Sequence, residues 1–110
     1  MNILILESNM FFLHGMMAIL TKNGHNVTGC LKLTSFYQQT NKNYNLLIVD
    51  ADLMRKKMFD MLNQMSCNPI EQKNVIATVE SYRKKIPNFL VKAVLQKPFD
   101  SKILLDCVNS

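Results

Sequence analysis

The run Leu46-Leu47-Ile48-Val49-Asp50 decides the fold: four apolar residues in unbroken succession, closed by a carboxylate. A strand with one wet face alternates apolar and polar residues. An unbroken run therefore implies a strand covered on both faces, the signature of a parallel sheet. Three further runs behave alike. Asn2-Ile3-Leu4-Ile5-Leu6 stops on Glu7-Ser8, Asn74-Val75-Ile76-Ala77 on Thr78, and Ala93-Val94-Leu95-Gln96 on Lys97-Pro98. In a parallel sheet these polar ends converge on one edge.

The segments between the runs carry helical spacing. Met10, Leu13, Met17 and Leu20, with Phe12, Met16 and Ile19 beside them, recur at i, i+3, i+4, and Lys22-Asn23-Gly24 supplies a glycine for the C-terminal cap. His25 to Cys30 reads as a further strand, Ser35 to Gln39 as a short helix, and Thr40 to Tyr44 as a polar connection into the Asp50 strand. Met54, Met58, Met61, Leu62 and Met65 form another amphipathic helix, closed by Ser66 to Pro69. After Thr78 comes a poorly patterned helical piece that Pro87 ends or kinks. Asp100 is the N-cap of a last helix with Ile103, Leu104, Cys107 and Val108 on one face. The order is βαβαβαβαβα. With right-handed crossovers it predicts an α/β, doubly wound open sheet whose ligands sit outside the carboxyl ends of the strands. That edge gathers Glu7, Ser8, Asp50, Thr78 and Lys97.

Composition narrows the alternatives. At 110 residues, with 48% hydrophobic and 19% charged residues, the chain has the make-up of one globular domain spanning 1–110. The first twenty residues read as strand and helix rather than as a leader, and no apolar stretch approaches the roughly 18 residues of a membrane span. A cytoplasmic location is expected. The three cysteines, Cys30, Cys67 and Cys107, are far apart and lack CxxC spacing, which predicts reduced thiols rather than disulfides or a zinc site. His14 and His25 have no partner at ligand spacing. The net charge of +5 is concentrated partly in Arg55-Lys56-Lys57 and Arg83-Lys84-Lys85, each shortly after a strand that ends in the site. Solvated helix faces account for them; ringing the carboxyl edge, they would also draw anions or an acidic partner. No aromatic is interleaved with them and no recognition-helix motif is visible, so nucleic-acid binding by this domain alone is not expected. The loop Leu6-Glu7-Ser8-Asn9-Met10 lacks the small residues that cradle a phosphate, which argues against a flavodoxin-like cofactor domain.

The four strand-end motifs, in order and with near-family spacing, resemble those of the receiver domains of two-component response regulators. The resemblance covers nearly the whole chain and implies a (βα)5 flavodoxin-like fold with parallel sheet order 2-1-3-4-5. It further implies a phosphoacceptor at Asp50, a switch hydroxyl at Thr78, a pairing cation at Lys97, and Mg²⁺ held by Glu7, Asp50 and the backbone carbonyl of Asp52. Phosphoryl transfer to an aspartate depends on charge neutralisation and positioning, so carboxylates, a hard cation and an ammonium are the residue types it needs. The implied function is a non-enzymatic signalling module. It takes a phosphoryl group from a histidine kinase or phosphotransfer protein and changes the surface of its fourth helix, fifth strand and fifth helix. That surface meets a partner or a second copy, and DNA only through a separate output domain.

The sequence also departs from the pattern it resembles. Glu7-Ser8 stands where two acids are usual, so one carboxylate is replaced by a hydroxyl and the other is longer by a methylene; metal binding should be weak or absent. Asp52 offers a carboxylate near the rim. Leu53-Met54 and Met58 replace the usual Met-Pro and Gly, Val79 replaces a small residue, and Val94 replaces the aromatic that moves with the hydroxyl, with Tyr82 and Phe89 as remote substitutes. These departures favour an alternative: a pseudo-receiver acting as a phosphorylation-independent interaction or dimerisation module.

Overall fold

The computed structural model describes residues 1–40, 42–54, 74–80 and 91–110. Its strands are β1 (Asn2–Leu6), β2 (Asn26–Cys30), β3 (Leu46–Asp50), β4 (Val75–Val79) and β5 (Ala93–Gln96). They pair in parallel in the order β2-β1-β3-β4-β5, as expected. Helices α1 (Met10–Lys22), α2 (Leu33–Gln39), α3 (Ala51–Met54) and α4 (Ser101–Asn109) accompany them. The expected helix through Met58, Met61, Leu62 and Met65 is seen only in its opening turn, α3. The rest of it, the piece around Pro87, and both basic triplets lie outside the described residues. Among the described residues no helix is long and apolar enough to cross a membrane.

The unbroken apolar runs are buried on both faces because successive side chains point to opposite sides of a strand. Leu4, Leu6, Leu47, Val49, Val75 and Ala77 form one core with Phe36 of α2 and Cys30. Ile3, Ile5, Leu46, Ile48 and Ile76 form the other with Leu13, Met16 and Leu20 of α1 and Leu104 and Val108 of α4. The methionines divide accordingly: Met16 fills the core, while Met10, placed by its spacing on the same stripe, is exposed at the first turn of α1.

Local chemistry sets the helix ends. Asn9 Oδ1 accepts the Phe12 N–H at 3.1 Å and Asp100 Oδ1 accepts the Ile103 N–H at 2.9 Å, each satisfying a donor left without a partner in a first turn. Gly24 ends α1 with φ of 89°, a conformation that disfavours any residue with a Cβ. Helix α2 begins at Leu33, two residues before the expected Ser35, because Leu33 packs against the Phe36 core. Strand β4 likewise runs past Thr78 to Val79, where pairing with β5 holds it through Val79 and Gln96.

Gly29 fixes how closely α1 lies on β2. A Cβ there would sit 2.6 Å from Met17 Sδ and 3.0 Å from Leu13 Cδ1. The Met17 side chain can swing away, but Leu13 is wedged in the core. Gly29→Ala is therefore expected to destabilise the domain by about 1–2 kcal/mol, toward the lower end of overpacking costs, and Gly29→Val by more. Urea melts of the two variants check the order; a stabilised Gly29→Val would mean that α1 lies farther from the sheet.

Candidate functional site

The polar strand ends do converge. Glu7 follows β1, Asp50 closes β3, Thr78 lies opposite Asp50 in the β3–β4 register, and Lys97 follows β5. Glu7, Asp50 and Thr78 are the buried polar side chains among the described residues. Their position follows from topology: β1 and β3 are adjacent central strands, and β4 and β5 extend the sheet to one side.

Lys97 joins the carboxylates. Its Nζ lies 2.5 Å from Glu7 Oε1 and 3.1 Å from Asp50 Oδ2, with the lysine side chain 9% exposed and the Glu7 side chain 1%. Burial works against the ammonium's charge. Contacts with Glu7 and Asp50 outweigh it and hold the Lys97 pKa above its ordinary value. The Glu7 contact is a close ion pair, with Oε1 buried against the ammonium. The Phe12 ring faces the ammonium with its centroid 5.3 Å away, and Phe12 packs edge-on against Phe99 at 5.1 Å. The Lys97–Pro98 peptide bond is cis.

Backbone donors hold the other carboxylate oxygens. Glu7 Oε2 accepts the Asn9 N–H at 3.0 Å, and Asp50 Oδ1 accepts the Asp52 N–H at 3.0 Å. Glu80, the residue after β4, is tied from both sides: its N–H donates to Asp52 Oδ2 at 3.0 Å, and Gln96 Nε2 donates to its carbonyl at 2.7 Å. The Thr78 hydroxyl donates to the Val49 carbonyl at 3.5 Å, at the long limit for such a bond. A cavity of about 330 Å³ is lined by Asn9, Phe12, Glu80, Lys97 and Pro98.

Ser8 is exposed and Val79 buried, and Val94 is 39% exposed on β5. Asp52 is half-buried, with Oδ2 directed at the Glu80 backbone. Among the described residues no three His, Cys, Asp or Glu side chains are grouped to hold a metal ion. The space between Glu7 and Asp50 holds the Lys97 ammonium. This donor set, as arranged, does not fit a divalent-metal centre.

Sequence reasoning placed Lys97 beside Asp50 but missed its shorter contact with Glu7. The extra methylene of Glu7 was the available signal, since it lengthens the reach across the edge. The Phe12–Phe99 pair and the Asp52–Glu80–Gln96 tie were missed too. The first joins side chains far apart in sequence and the second runs through backbone groups, so neither leaves a spacing pattern.

Many solved structures that share this architecture are response-regulator receiver domains. A CheY-like receiver domain from Methanospirillum hungatei JF-1 superposes with a TM-score of 0.81 over 98% of this chain and 90% of its own, at 19% identity. The N-terminal domain of a response regulator/sensory box/GGDEF three-domain protein from Carboxydothermus hydrogenoformans gives 0.80 over 99% and 91%, at 16% identity. A response regulator receiver domain protein from Bacillus halodurans gives 0.77 over 98% and 93%, at 20% identity. No protein-family model and no curated protein matches the sequence. The likeness is one of fold: the chain has the CheY-like, flavodoxin-like receiver fold.

Proposed function

We propose that this chain is a phosphoacceptor receiver module of two-component signalling. A carboxylate oxygen of Asp50 attacks the phosphorus of a phosphohistidine on a histidine kinase or phosphotransfer protein. The new O–P bond forms as the P–N bond breaks, and the imidazole leaves with the electron pair. The observation that carries this reading is the contact of Lys97 with Asp50, 3.1 Å from Nζ to Oδ2, at the edge where the ends of β1, β3, β4 and β5 meet. The transferred group is dianionic, so a cation beside the acceptor is the first requirement. Lys97 meets it. Thr78, paired with Asp50 across the sheet and held by a long hydrogen bond, can re-aim its hydroxyl at a phosphoryl oxygen. The Mg²⁺ that the resemblance implies through Glu7, Asp50 and the Asp52 carbonyl has no part in this reading.

Phosphorylation then alters the surface around β5 and its neighbouring helices, which meets a partner or a second copy of the chain in the cytoplasm. A transcriptional output follows through a separate DNA-binding domain. Incubation with a small phosphodonor, with and without Mg²⁺, should add one phosphoryl group to the intact mass of the wild type and none to Asp50→Asn. An unmodified wild type at every donor concentration would sink the reading.

A second reading has observations of its own. Exposed Ser8 in place of an acid, buried Val79 after Thr78 and half-exposed Val94 in the aromatic position favour a pseudo-receiver that regulates by interaction or dimerisation without phosphorylation. The same mass measurement separates the two.

A further inference from the structure

The pocket at the sheet edge already contains a cation. Lys97 Nζ touches Glu7 Oε1 and Asp50 Oδ2 at once, between the two carboxylates that a divalent ion would have to bridge. The remaining oxygens are engaged as well, Glu7 Oε2 by the Asn9 N–H and Asp50 Oδ1 by the Asp52 N–H. Glu7 Oε1 is buried against the ammonium rather than facing an open coordination space.

Charge points the same way. Two carboxylates and one ammonium leave the pocket at a formal charge of minus one; a dication added to them would carry it to plus one, against a fixed like charge. Hard dications also need several oxygen ligands in a demanding geometry. Ser8 is exposed and carries no charge, and Asp52 directs Oδ2 at the Glu80 N–H. The ammonium is anchored in turn: the Lys97 backbone N–H donates to the Val79 carbonyl at 2.7 Å, and the Phe12 ring lies against Nζ.

We propose that Lys97 is the resident cation of this pocket, its ammonium filling the place of a divalent metal between Glu7 and Asp50, so that divalent-cation binding is latent and appears when the ammonium is removed. The inference concerns the cation alone and stands whether or not Asp50 accepts a phosphoryl group.

Lys97→Met keeps the bulk of the side chain and removes its charge. The probe is Mn²⁺, followed by the paramagnetic resonance of the free ion and by thermal melts, which suit a chain without tryptophan. The wild type should show no saturable binding through the low-millimolar range and no change in melting temperature. Lys97→Met should bind Mn²⁺ at least about tenfold more tightly than the wild type, and its melting temperature should rise with Mn²⁺ concentration, because an ion that binds only the folded state stabilises it. Where Lys97→Met fails to fold, recovery of the folded state on adding Mn²⁺ supports the proposal. Lys97→Gln, whose amide still donates to a carboxylate, is read in the same way. Sub-millimolar Mn²⁺ binding by the wild type overturns the proposal, as does failure of both variants to bind more tightly than the wild type.

Discussion

Replacing Lys97 by alanine is expected to lower the unfolding free energy at neutral pH by about 3–5 kcal/mol, the cost of leaving buried charges without their partner. Lys97 serves two carboxylates: the Glu7 side chain is 1% exposed and that of Asp50 5%. Both are held by backbone N–H donors on their other oxygens, so neither turns to water without disturbing a loop. The loss is a large share of the roughly 5–15 kcal/mol that stabilises a domain of this size.

The same contact sets a pH dependence. Burial alone would lower the Lys97 pKa, but the Glu7 and Asp50 carboxylates raise it above 10.5, its ordinary value. A folded-state value above the unfolded one means that the folded state holds its proton more tightly. The contribution is complete below about pH 10 and is lost as pH rises through the raised value. Urea melts from neutral to alkaline pH should show this decline in the wild type and lack it in Lys97→Ala. A neutral-pH loss under about 1 kcal/mol, typical of an exposed pair, would mean that the carboxylates find solvent or another cation.

Phe36→Ala is expected to cost a comparable amount, about 3–5 kcal/mol, as for other buried aromatic truncations. Phe36 is fully buried and anchors α2 to the core of Leu4, Leu6, Leu47 and Val49. These neighbours belong to hydrogen-bonded central strands and cannot collapse into the space, so a cavity remains. The two losses differ in kind. The Phe36 deficit should be nearly independent of pH and the Lys97 deficit should shrink in alkali, so melts at pH 7 and in alkali separate them. A small Phe36 effect would place α2 away from the sheet.

Much of this architecture could be read from the chain because its central strands are buried on both faces. Burial on both sides demands apolar residues at every position, and the runs ending at Leu6, Val49 and Ala77 satisfy that demand without tertiary help. Strand β2 is at the sheet edge, exposed at Asn26, half-buried from Val27 to Gly29 and buried at Cys30, so its run Asn26-Val27-Thr28-Gly29-Cys30 carries a fainter pattern. The site was legible as far as it depends on topology, which brings strand ends together whatever the side chains do. Which groups then touch depends on reach and register. Glu7 meets Lys97 because the register of β1, β3, β4 and β5 brings them within one side-chain length, and no spacing along the chain encodes that. The Asp52–Glu80–Gln96 tie escaped for a different reason: it uses the Glu80 backbone, which any residue would supply.

Locating the phosphoryl group is the decisive observation. After treatment with a small phosphodonor, borohydride reduces an aspartyl phosphate to homoserine, and peptide mass analysis then identifies the position that carried it. Homoserine at position 50, absent from Asp50→Asn, is the predicted result. Homoserine at another position, or an unmodified Asp50 in a folded wild-type chain exposed to excess donor, would contradict phosphoacceptance and leave the pocket as a fixed ion cluster in a receiver-shaped interaction module.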